Sequence, residues 1–125
     1  MPRRPYPAAV REALEHELAT AAAATTGEDR WPALERAHIL SQPWPWPHTV
    51  VHWRMLRLAV GQHDRREALG QVVRLLVAAP GSASGRYPEG NTGRAAVGLR
   101  QPLPVPDDLA RILATDPSAG RQLDR

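Results

Sequence analysis

The chain contains no cysteine, no phenylalanine and no lysine among its 125 residues. Without cysteine, disulfides, thiolate zinc sites and iron–sulfur clusters are excluded, so any metal must be held by nitrogen and oxygen. Without phenylalanine, and with only four Trp and two Tyr, the core has to be assembled mainly from Leu, Val and Ala. All sixteen basic residues are arginines, scattered rather than run together. A formal charge of +3 with neither a concentrated basic patch nor stacking aromatics does not suit a nucleic-acid surface. No stretch approaches the ~18 apolar residues of a membrane span, and Met1-Pro2-Arg3-Arg4-Pro5-Tyr6-Pro7 is not followed by the apolar run of a signal sequence. The expectation is a cytoplasmic protein with no nucleic-acid and no membrane partner, and the length suits one domain.

Periodicity and breakers predict an all-α fold. A helix is expected from about Ala8 to Thr25, and a second from Asp29, read as its N-cap, to about Ser41. The alternating prolines of Gln42-Pro43-Trp44-Pro45-Trp46-Pro47 predict an extended connector. A third helix is expected from Pro47 to Gly61. Asp64 then caps a fourth, with Leu69, Val72, Val73 and Leu76 on one face and Pro80-Gly81 as its end. The domain plan is a tail over 1–7, a four-helix core over 8–80, a Gly/Pro-rich arm over 81–106, a short helix over 107–114 and a loose tail over 115–125. An offset of 35 residues superposes Asp29, Ala33 and Leu34 on Asp64, Ala68 and Leu69. The core therefore reads as two antiparallel, tetratricopeptide-like helical hairpins.

The chemistry-bearing residues cluster in the first half. His48 and His52 are one helical turn apart on the stripe that also carries Met55 and Ala59, so both imidazoles are expected inside. Glu17 shares a stripe with Val10, Leu14 and Ala21, an acid among core positions that a cation would have to compensate. Glu35-Arg36-Ala37-His38 is an i,i+3 pair of the kind that lines metal centres of ferritin-like bundles, present here once. Gathering these faces predicts a mononuclear site of His38, His48 and His52 with Glu17, and with Glu35 as a fifth ligand or as the acceptor orienting His38. That donor set suits Zn²⁺, Fe²⁺ or Mn²⁺, and also Cu²⁺ or Ni²⁺. His16 and His63 fall on a solvent face and in a turn and are excluded as ligands.

Competing readings attach to each of these residues. An inward histidine is commonly bonded to a backbone carbonyl, and Glu17 can pair with Arg36 or Arg54. Gly90-Asn91-Thr92-Gly93 could face an anion but lacks the flanks of a phosphate loop, so a structural turn is favoured. Ser41, Ser82 and Ser84 have no evident His and Asp partners for nucleophilic catalysis. Trp44, Trp46 and Trp53 either wall a pocket near His48 or pin the proline connector.

Several stretches together resemble a family of short bacterial proteins catalogued as a domain of unknown function. They are Leu34-Glu35-Arg36-Ala37-His38-Ile39-Leu40, His48 with His52-Trp53 and Met55-Leu56, and Asp64-Arg65-Arg66-Glu67 with Gly70-Gln71 and Arg74-Leu75. Ala79-Pro80-Gly81-Ser82, Gly85 to Gly93 and Pro102-Leu103-Pro104-Val105-Pro106 continue the likeness. The resemblance implies a shared helical fold and a shared use of the three histidines, and it supplies no reaction. Two functions follow from the residues. The first is a metal-binding protein or small metalloenzyme whose open coordination position takes a small-molecule substrate. The alternative is a metal-free tetratricopeptide-like interaction module, with a partner peptide or a second copy of the chain in its groove.

Overall fold

The computed structural model describes residues 5–116, and five helices occupy most of that span. They are α1 (Ala8–Ala23), α2 (Gly27–Ser41), α3 (Pro45–Gly61), α4 (Arg65–Ser84) and α5 (Asp107–Leu113). α1 pairs with α2 and α3 with α4 as two hairpins joined through α2 and α3, and α5 rests across α1 and α2. No helix among the described residues is long and apolar enough to cross a membrane.

Local chemistry sets each boundary. The Thr26 hydroxyl accepts from Asp29 N at 3.1 Å and so caps α2, three residues ahead of the predicted cap. The proline connector is shorter than the alternation predicts. Only residues 42–44 form a turn, and α3 begins at Pro45, because the first turn of a helix needs no N–H donors and can absorb both Pro45 and Pro47. At the other end of α3, His63 takes φ 57° and Asp64 N returns to Ala59 O at 2.9 Å. The Asp64 side chain then caps Glu67 N at 3.0 Å. α4 also runs past its predicted stop: Pro80 lies inside it, and the helix ends at Gly85, whose φ of 72° lets Arg86 N reach Gly81 O at 2.9 Å.

The main core joins Leu14 and Ala21 of α1, Trp31, Leu34 and Ala37 of α2, and Val51, Met55 and Ala59 of α3. A smaller cluster packs Ile39 and Leu40 against Leu109 of α5. Trp44 is buried, its indole N–H donating to Pro5 O at 2.8 Å, and it pins the turn, whereas Trp46 and Trp53 are exposed. Of the expected loose tail, Asp116 is buried, and residues 117–125 lie outside those described.

The largest departure from the periodicity is the orientation of α4. Its apolar residues face solvent, with Leu69 67 % and Leu76 74 % exposed and Val72 and Val73 beside them. The inward face carries Glu67, Gln71, Arg74, Ala78 and Ser82. The polar stripe wins the interior because its hydrogen bonds have dedicated partners there, described below. Equilibrium unfolding in urea should separate the two faces: Leu69→Gln is expected to change stability by less than about 0.5 kcal/mol, whereas Met55→Ala in the true core should cost about 2–5 kcal/mol. A loss of core-like size in Leu69→Gln would mean that α4 is turned the other way.

Candidate metal centre

α2 presents His38 from its last turns, and α3 presents His48 and His52 one turn apart; all three are buried. Their Nε2 atoms form a nearly equilateral triangle, with separations of 3.0 Å for His38–His52, 3.0 Å for His38–His48 and 3.1 Å for His48–His52. The rings meet edge to face or tilted, with centroids 4.6–4.8 Å apart. This cluster can hold a metal ion.

The other side of each ring settles where the protons are. His38 Nδ1 lies 2.6 Å from the carbonyl oxygen of Asn91, which only accepts, so Nδ1 carries the hydrogen. His52 Nδ1 lies 2.7 Å from Gln71 Oε1; the Gln71 amide nitrogen donates to Gly93 O at 2.8 Å, which fixes the amide orientation and again makes Nδ1 the donor. His48 Nδ1 lies 2.8 Å from Ser82 Oγ, whose own hydrogen goes to Gln42 O, so the serine accepts from His48. Ser82 therefore has the histidine partner that sequence reasoning did not find, but in the wrong sense for a nucleophile. A ring nitrogen that donates to a serine cannot take its proton.

Burial pushes all three imidazoles toward the neutral form. His38 is held well below the usual histidine range by desolvation and then by the charges His52 and His48 would carry. His48 is lowered to about 3, by desolvation and then by His52. Desolvation lowers His52 to about 4, against the opposing Gln71 hydrogen bond and with Arg74 adding to the fall.

The supporting residues come from α4 and the arm. Glu67 holds Gln71 Nε2 at 3.3 Å, Arg94 Nε at 2.6 Å and Ala95 N at 2.9 Å. The Asn91 side chain organises the arm by donating to Gly98 O and Gln101 O at 2.9 and 2.7 Å and accepting from Gly93 N at 2.8 Å. Gly93, at φ 82°, lies against the His38 ring, and a Cβ there would fall 2.7 Å from His38 Cδ2. The Gly90–Gly93 segment is thus a structural turn that seats His38.

The structure places both glutamates in ion pairs with arginines. Glu17 faces Arg36, with Oε1 2.9 Å from Nε, and Arg36 continues to Asp108, so this acid ties α1, α2 and α5 together. Glu35 pairs with Arg94 at 3.3 Å, and the acceptor role proposed for it at His38 belongs to the Asn91 carbonyl. Only the imidazoles converge. Gln71, Ser82, Asn91 and Gly93 were missed, and their signal was an uncharged polar residue at helical spacing on α4 and the glycine-flanked Asn91. His16 is exposed, as expected of a non-ligand, and so is His63.

Residues 8–113 match the model of a family described as a protein of unknown function, DUF3703. The chain belongs to the DUF3703 family. No curated protein and no solved structure matches it. For this DUF3703 protein the three histidines, all inside the matched span, are the feature from which function has to be argued.

The lowered imidazoles make stability depend on pH. Their native pKa values lie below the unfolded value near 6.5, so the unfolded chain binds protons first. The contribution is complete above about pH 6.5 and is lost as pH falls toward about 4 for His52 and about 3 for His48. Chelator-treated protein should therefore lose unfolding free energy steadily between pH 7 and pH 4.5, and more steeply than a variant with His48 and His52 both replaced by Gln. Equal slopes would show that these rings are not buried in the neutral form.

Proposed function

We propose that this DUF3703 protein binds a single divalent transition-metal ion through Nε2 of His38, His48 and His52, with Zn²⁺ the best fit. The observation that carries the reading is the geometry: three Nε2 atoms converge at 3.0–3.1 Å while each Nδ1 faces an oxygen acceptor, from which it follows that the inner nitrogens have no hydrogen to share. Facing lone pairs at that distance repel, and a cation between them turns the repulsion into three bonds. An ion at about 2.0–2.1 Å from each nitrogen would subtend N–metal–N angles of about 95° across this triangle. Such a cap occupies one side of the coordination sphere.

Three neutral imidazoles without a carboxylate favour Zn²⁺, Cu²⁺ or Ni²⁺ over Mn²⁺ or Fe²⁺, whose sites draw on oxygen ligands. A three-protein-ligand arrangement is also that of catalytic rather than structural zinc, in which the remaining position takes water or substrate. The reading is therefore a small metalloprotein acting on a small molecule as a Lewis acid or through metal-bound water. Each imidazole keeps a dedicated acceptor at Nδ1, the arrangement that orients histidine ligands and raises their basicity. The interaction-module alternative keeps one supporting observation, the exposed apolar stripe of α4, and makes no use of the histidine triangle.

Elemental analysis of tag-free protein should find one bound metal per chain, with Zn²⁺ raising the melting temperature of chelator-treated protein. Replacing His48 and His52 together by Gln should abolish stoichiometric binding; a double variant that keeps the metal rules out this ligand set. Gln71→Leu removes the acceptor at His52 together with the donor to Gly93 O and Glu67, leaves the three ligands in place and should weaken Zn²⁺ affinity by about 10–100-fold. Unchanged affinity in a folded Gln71→Leu protein would detach the outer hydrogen bonds from the metal.

A further inference from the structure

The three histidines line part of a cavity of about 350 Å³ whose other walls come mainly from α4 and the arm. Its charged lining is of one sign. Arg74, Arg86 and Arg100 contribute to the wall, and among the described residues no aspartate or glutamate does. Arg74 is buried, and its guanidinium is met by carbonyl oxygens, Val97 O at 2.7 Å and Gly70 O at 3.3 Å. Glu67 is the acid that acts on it, but that carboxylate is hydrogen-bonded to Arg94 and to Ala95 N. Arg86 and Arg100 are exposed arm residues with no ion-pair partner among the described residues. The remaining wall is in part hydrocarbon, from Leu76, Val77 and Leu99.

A buried guanidinium without a bonded carboxylate is costly. Beside it, a divalent ion held by three neutral ligands would keep its full positive charge. Both deficits are met by a negative group on the ligand, and an arginine-lined wall suits the planar, two-oxygen geometry of a carboxylate. On the metal reading above, we propose that the cavity takes a small organic carboxylate. Its charged end lies at the metal's remaining position and toward Arg74, its short hydrocarbon body lies against Leu76, Val77 and Leu99, and Arg86 and Arg100 steer it in at the mouth.

Cobalt-substituted protein supplies the test, because the visible bands of Co²⁺ report its ligand sphere. Stoichiometric Co²⁺ uptake is the check on the metal reading, and without it both proposals fall. With Co²⁺ bound, butyrate should shift the spectrum saturably at millimolar concentration, and n-butylamine should not. Inorganic phosphate should bind more weakly than butyrate. The Arg86→Gln, Arg100→Gln double variant, which leaves the histidines and Arg74 in place, should take up Co²⁺ normally and bind butyrate about fivefold more weakly. Full Co²⁺ loading with a spectrum indifferent to butyrate would overturn the carboxylate proposal and leave the metal site standing. Equal responses to butyrate and butylamine, tighter binding of phosphate, or a double variant with unchanged butyrate affinity would each overturn it as well.

Discussion

Every chemical property of the site depends on where three protons sit. Each imidazole has one ring nitrogen turned outward to an oxygen that accepts, a carbonyl at Asn91, an amide oxygen at Gln71 and a Ser82 hydroxyl whose own hydrogen goes to Gln42 O, and this leaves the inner nitrogen without a hydrogen. The three acceptors come from different parts of the chain: a carbonyl of the arm at Asn91, a hydroxyl near the end of α4 at Ser82, and an amide in the first half of α4 at Gln71. Were any of them a donor, the matching ring would flip its tautomer and place a hydrogen inside the triangle. The close approach of the rings would then be an ordinary hydrogen bond rather than an unmet demand for a cation.

That requirement explains why α4 is turned against its own hydrophobic pattern. A helix normally buries its apolar stripe, and Leu69, Val72, Val73 and Leu76 form one. Burying that stripe would have placed Gln71 and Ser82 in solvent and left two imidazole N–H groups without acceptors in a dry interior, at a cost of about 1–3 kcal/mol each. Turned as it is, α4 brings in Glu67, Gln71, Arg74 and Ser82 with partners for each. Outside the facing Nε2 atoms, every buried side-chain nitrogen and oxygen among the described residues has a hydrogen-bond partner, which is the condition under which a buried network is tolerated.

The helices and the histidine cluster were legible because both rest on local rules. His48, His52 and Met55 lie on one stripe of α3 whatever else packs nearby, and the Asp64 cap acts within a few residues of itself, whereas α2 and α4 are capped at Thr26 and Gly85 rather than at Asp29 and Pro80-Gly81. The orientation of α4 was not legible, since its buried face is chosen by contacts 19 to 40 residues distant, His52 with Gln71 and Gln42 with Ser82. Glu17 misled for a related reason. Its stripe on α1 is partly buried, but the cation that compensates it is Arg36 of the neighbouring helix, an option equal in sequence terms to a metal. Glu35 failed at closer range: i,i+3 spacing allows Glu35 and His38 to converge, yet Arg94 arrives from the arm and takes the carboxylate.

Arg94 also shows how the arm and the site are held as one unit. Its guanidinium stacks 3.8 Å over the Trp31 ring while bonding Glu67 on α4 and Glu35 on α2. Glu67 in turn holds Gln71, the acceptor for His52, and the same arm carries Asn91, the acceptor for His38. The arm has little secondary structure of its own, so its position depends on these polar contacts and on the Asn91 side chain. An ion bonded to His38 and His52 would favour the ring positions that these acceptors define. By linkage, whatever binds at the triangle stabilises the seating of the arm, and whatever loosens the arm weakens the ligands. The cavity wall formed by Arg86, Leu99 and Arg100 belongs to that same arm, so the shape of the space beside the histidine triangle and the seating of the triangle itself are set by one group of contacts.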